Sequence, residues 1–198
     1  MLGGRLELLV DPRISEQKFE RELLDYRRLE DVYINRGWWL LKVDYPEVFV
    51  VFAAPQLKPS SVVFGILIDF TNYDFWPPSV RFVDPFSRAP IKKSELFGNL
   101  PYRIKSSEGG NMMGTYQIQD LIQAHSDDKA FLCLPGVREY HVHPAHTGDS
   151  WLTHRGRGEG TLIFLLETIY QHGVRPINSY NIQLRIAGFG MDIQQIPE

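Results

Sequence analysis

The chemistry-bearing residues of this chain crowd into one stretch, Phe131 to Trp151, which holds the only cysteine and three of the six histidines. Cys133, Glu139, His141 and His143 are a thiol, a carboxylate and two imidazoles within eleven positions. These are the donor types that a borderline-soft ion such as zinc accepts. In Glu139-Tyr140-His141-Val142-His143 the polar groups alternate, so a strand here would turn Glu139, His141 and His143 to one side. Successive members would then stand about 6.6 Å apart, a gap two imidazoles can close on one ion. Glu139 and His143 would meet only across a bend; on a flat strand Glu139 would instead orient a ligating ring. His146, beyond Pro144, is a further candidate ligand. Cys133 would arrive from a preceding strand through a turn at Pro135-Gly136.

The rest of the chain must position that stretch. Phe19, Leu23, Tyr26 and Leu29 recur at steps of three and four, which predicts a helix over 15–32 with Ser15 as N-cap. Segments 38–45, 48–54, 62–70 and 79–83 are rich in aromatic and β-branched residues, with prolines at the breaks. They predict an antiparallel meander of about four strands. Residues 84–111 read as an inserted loop, 112–124 as a short helix or strand, and 161–171 as an apolar helix. A short apolar run at 6–10 reads as a strand or arm, and 180–187 as an extra C-terminal strand. The whole, 1–198, is expected to be one α+β domain.

Helix, meander and Tyr73-x-Phe75-x-Pro77-Pro78-x-Val80-x-Phe82, followed by Cys133-Leu134, Trp151 and a helix, resemble the ubiquitin-conjugating (UBC) enzymes. That resemblance implies a crossover helix after the cysteine and a thioester on Cys133. The family's His-Pro-Asn tripeptide is absent, and His125 stands near where its asparagine would fall. The order Cys133, Glu139, His141, His143 also resembles a bacterial family described as a predicted metal-binding domain, named for that Cys-Glu-His-His set. Its members are associated with bacterial ubiquitin-like modification operons. Together the resemblances imply a zinc-binding UBC-like protein, with a ubiquitin-like modifier and its activating enzyme as partners. The alternative is a conjugating-type transferase using Cys133 as nucleophile. As an enzyme the chain would be such a transferase or a zinc-dependent hydrolase with Glu139 as base.

Two further metal motifs fit less well. His141-x-His143-Pro144 resembles the JAMM isopeptidases, but Thr153 stands where the aspartate ligand belongs. The pair also resembles the cupins, but no second motif follows. Gly156-Arg-Gly-Glu-Gly160 reads as a hinge rather than an anion loop, since no phosphate-loop spacing surrounds it. His125, His154 and His172 are read as ordinary solvated or hydrogen-bonded histidines. A net charge of -3 with scattered basic residues predicts no nucleic-acid partner. No apolar run reaches the roughly 20 residues that span a bilayer, so no membrane is expected. A single cysteine excludes an internal disulfide, and with no leader-like N-terminus it predicts a cytoplasmic protein.

Overall fold

The computed structural model describes residues 9–96, 100–105 and 116–179. It is an α+β structure whose centre is a four-stranded antiparallel sheet in the order β1-β2-β3-β4. The strands are β1 (Trp38–Asp44), β2 (Glu47–Ala54), β3 (Ser61–Asp69) and β4 (Ser79–Val83). They follow the expected segments closely, because runs of aromatic and β-branched residues suit a pleated surface, and β2, the most buried of them, is apolar along nearly its whole length. Register shifts between Leu40 and Lys42 on β1 and between Phe52 and Ala53 on β2 interrupt the ladders.

The single helix expected over 15–32 is two helices, α1 (Pro12–Arg27) and α2 (Glu30–Asn35). Leu29 leaves helical geometry at φ -126°, ψ 19°, which breaks the hydrogen-bond ladder without a proline or glycine. Asp11, not Ser15, caps α1: its carboxylate accepts from the Arg13 amide, and Pro12 occupies the first helical position, where no donor is needed. Ser15 is buried instead.

Phe19, Leu23 and Tyr26 on α1 face the sheet and join Val48, Val50, Phe52, Ile66, Ile68 and Phe82 in the main core. Helix α5 (Leu162–Ile169) packs on α1 and adds Leu162, Leu165, Leu166 and Ile169 to the same core. Each such side chain contributes about 1.5–3 kcal/mol by leaving water. Phe49, Val51 and Val83 form a second, smaller cluster, with the Arg88 guanidinium 4.6 Å above the Phe49 ring.

Part of the expected loop over 84–111 is ordered structure. It includes a 3-10 turn at Lys93–Glu95 and strand β5 (Pro101–Lys105), which pairs with β6 (Tyr116–Asp120). A second hairpin joins β7 (Ile122–Ala124) to β8 (Ala130–Leu132), and β8 lies beside β4. The short helices α3 (Arg138–Val142) and α4 (Trp151–His154) precede α5, and a π-helical turn at Tyr170–Val174 follows it. The expected strand over 180–187 lies outside the described residues, as does most of the run over 6–10. No helix among the described residues is long and apolar enough to cross a membrane.

Candidate functional site

Strand β8 delivers Cys133, whose amide donates to the Leu121 carbonyl at 2.7 Å and whose side chain is 5% exposed. The chain then turns at Pro135-Gly136, closed by the Val137 amide donating to the Leu134 carbonyl at 2.8 Å. This turn presses on the loop that leads into α5. A Cβ on Gly136 would lie 2.2 Å from the Gly160 nitrogen, so the contact is backbone against backbone and needs a glycine. The amino end of α5 is already satisfied by side chains: Leu162 donates to Glu22 Oε2 at 2.9 Å and Phe164 to Thr161 Oγ1 at 3.4 Å.

The strand expected over Glu139 to His143 is instead helix α3. Arg138 anchors it. Its guanidinium donates to the carbonyls of Thr71 at 2.7 Å and Pro77 at 3.2 Å, and its amide donates to the Pro78 carbonyl at 2.9 Å. Only four residues lie between that anchor and His143, and one closed turn satisfies their backbone groups locally. On a helix, residues two apart point about 200° from one another, so the alternating side chains diverge. Glu139 turns to β4, where it accepts from the Ser79 hydroxyl and from the Val80 amide. His141 sets Nδ1 2.9 Å from the Asp149 carbonyl and Nε2 2.5 Å from the Pro135 carbonyl. His143 caps the end of α3, and its Nδ1 accepts from the Ala145 amide at 3.3 Å.

Cys133, Glu139, His141 and His143 are therefore not brought together, and no group of three or more His, Cys, Asp or Glu side chains among the described residues is arranged to hold a metal ion. As a donor set the four do not fit zinc in this arrangement, since Glu139 and His141 spend their polar atoms on other protein groups.

The residue that does meet Cys133 is His146, on the 3-10 turn Pro144–His146, with its Nε2 3.1 Å from Sγ. The Tyr140 ring lies flat on the His146 ring, centroids 3.8 Å apart and planes 19° apart. The Tyr140 hydroxyl donates to Asp149 Oδ2 at 2.7 Å. Asp149 Oδ1 in turn accepts from His154 Nε2 at 2.7 Å, and the other nitrogen of His154 meets Glu159. His125 stacks on Phe131 at 4.6 Å. Trp151 is buried and donates from Nε1 to the Asp74 carbonyl at 2.9 Å, which ties the segment to the Tyr73–Pro78 turn.

Residues 10–177, which include all of these groups, match the Y4jH family, described as Y4jH-like. The chain belongs to the Y4jH-like family. A Y4jH-like relative in Sinorhizobium fredii (strain NBRC 101917 / NGR234), "Uncharacterized protein y4jH", is 44% identical over 199 residues, covering 96% of this chain and 97% of that one.

The electrostatics of this Y4jH-like site divide at Tyr140. On one side, burial raises the Cys133 thiol above its ordinary value. Burial, helped by the nearby His143, lowers the His146 ring. Both favour the neutral pair over the thiolate–imidazolium pair, with the thiol as donor and the imidazole nitrogen as acceptor. On the other side, burial opposes charge on His154, but Asp149 and Glu159 outweigh it and raise that ring. Hydrogen bonds from His154 and Tyr140 hold Asp149 below the usual carboxylate range. By sequence His154 is an ordinary histidine. Its one signal there is an acidic residue five positions away on either side, Asp149 and Glu159.

Proposed function

We propose that this Y4jH-like chain is a UBC-like protein of a ubiquitin-like modification pathway, in which Cys133 carries the modifier as a thioester and His146 handles its proton. The observation that carries this reading is the 3.1 Å approach of Cys133 Sγ to His146 Nε2. It is supported by the succession of α1, a four-stranded meander, the Pro77-Pro78 turn, Cys133, Trp151 and α5 packed back on α1.

The chemistry balances with an activated acyl donor, the thioester that an activating enzyme presents. The Cys133 proton passes to His146 Nε2 and the thiolate attacks the donor's carbonyl carbon. A new C–S bond forms as the donor's C–S bond breaks, and the departing thiolate takes the proton from His146. An acceptor amine then attacks the Cys133 thioester. A C–N bond replaces the C–S bond, and the amine's proton returns to the cysteine through the same imidazole.

A second reading keeps zinc. Cys133 and His146 are the one thiol and imidazole among the described residues whose donor atoms face each other, and the His143 ring stands 5.7 Å from that of His146. The thiolate would then be a ligand rather than an acyl acceptor.

One experiment separates the two. Purified wild type, Cys133→Ala, His146→Ala and His143→Ala are assayed for bound metal and, with an activating enzyme and modifier, for a reductant-sensitive adduct. The transfer reading expects an adduct absent from Cys133→Ala and slowed about 100-fold in His146→Ala. One equivalent of zinc, lost in Cys133→Ala and His143→Ala, with no adduct on wild type, overturns it in favour of the metal.

A further inference from the structure

We infer that Asp149 is a positioning residue for the Cys133–His146 pair, acting through the ring of Tyr140. The inference rests on the thiol–imidazole reading of the site and deepens it.

His146 lies on a short turn at the half-exposed edge of the segment, where an imidazole left to itself would sample several rotamers. Effective proton transfer from a thiol needs the ring held in place. In many Cys–His sites a polar group on the second ring nitrogen does this. Here the ring is held by a flat stack against Tyr140, with centroids 3.8 Å apart.

A stack is a soft constraint unless the aromatic partner is itself fixed. Tyr140 is fixed at its far end by the 2.7 Å bond from its hydroxyl to Asp149 Oδ2. Burial and the Asp149 carboxylate both hold that phenol protonated, so it remains a donor across the neutral range.

Asp149 suits the task because every polar part of it is used. Its Oδ1 accepts from His154 at 2.7 Å, and its carbonyl lies 2.9 Å from His141 Nδ1. Its amide donates to the His146 carbonyl at 3.1 Å. One residue thus holds the backbone of His146 directly and its ring indirectly. His154 and Glu159 supply the far support. A loop brace with no bearing on the thiol would not need to reach the ring that faces Sγ.

The test is the pH profile of Cys133 alkylation by iodoacetamide in the full chain. It is run on wild type, Tyr140→Phe, Asp149→Ala and His146→Ala, and on each of the first two variants combined with His146→Ala. Tyr140→Phe and Asp149→Ala are each expected to slow alkylation near neutral pH by about fivefold and to move the profile toward that of His146→Ala. In the His146→Ala background neither is expected to change the rate. Equal slowing in both backgrounds, or no slowing in the otherwise wild-type chain, overturns the inference. Tyr140→Phe removes a single oxygen and keeps the stack, so it decides the matter if Asp149→Ala fails to fold. An unchanged profile in His146→Ala is a different failure, that of the thiol–imidazole reading itself.

Discussion

Two imidazoles eight residues apart, His146 and His154, are driven in opposite directions by their surroundings. His146 faces a thiol and the flat of a tyrosine, and burial lowers its proton affinity. His154 lies between two carboxylates, which raise its affinity against the pull of burial. The segment thus has one half in which burial favours the neutral forms and a second, charged half suited to holding shape. Tyr140 and Asp149 join the halves, so the contrast is open to perturbation from either end.

The most disruptive way to break the contrast is at the backbone contact that both halves share. Gly136 lies three residues after Cys133, and the Gly160 it presses on follows Glu159. With a Cβ only 2.2 Å from the Gly160 nitrogen, Gly136→Ala must push the two loops apart. Overpacking against backbone is expected to cost about 3 kcal/mol, read as a lower thermal unfolding midpoint. The resonances of His146 and His154 should both move. A stability equal to wild type would show that the loops do not meet as described.

A smaller effect is expected from His154→Ala. It leaves Asp149 and Glu159 without the ring that separates them, and Asp149 then keeps only the tyrosine as a side-chain donor. The carboxylates are about a third exposed, so water screens much of the loss, and about 1 kcal/mol is the expected cost at pH 6. The cost should shrink as pH rises, because a neutral His154 already holds the carboxylates less firmly. Chemical denaturation at pH 6 and pH 9 measures it, and an equal cost at both would remove charge from the account of this half.

How far the sequence carried these conclusions depended on the length of each pattern. The four strands were legible because runs of five or more residues rich in aromatic and β-branched side chains, with prolines between, leave few alternatives. The break between α1 and α2 was not, since Leu29 departs from helical geometry with no local signal and the apolar spacing runs on across it. At the site the residues were identified and their geometry was not. Glu139, His141 and His143 alternate, but a pattern five residues long also fits a single helical turn, and Arg138's bonds to Thr71, Pro77 and Pro78 decide for the turn. Those partners lie some sixty residues away, beyond the reach of any local pattern. His146 is a candidate ligand by sequence, and its place beside Cys133 follows from the α3 turn rather than from a strand.

The finest test of the contrast leaves the sequence intact and varies only pH. Histidine titration by NMR should put the inflection of His146 below the ordinary imidazole value and that of His154 above it. The two have opposite linkage signs. For His154 the folded value is raised, so its contribution to stability is complete below the unfolded value and is lost as pH rises through the folded one. For His146 the folded value is lowered, so the unfolded chain binds its proton first and stability falls as pH drops below the ordinary imidazole value. Asp149, held low by His154 and Tyr140, contributes at neutral pH and loses its contribution only as pH falls through its own depressed value. Near the ordinary imidazole value the two histidine effects therefore oppose one another, and their sum should change little there. Removing one ring should expose the other's slope: His146→Ala should leave a stability that falls with rising pH, and His154→Ala one that rises with it. Slopes of the same sign in the two variants would mean that the segment has one electrostatic environment, not two.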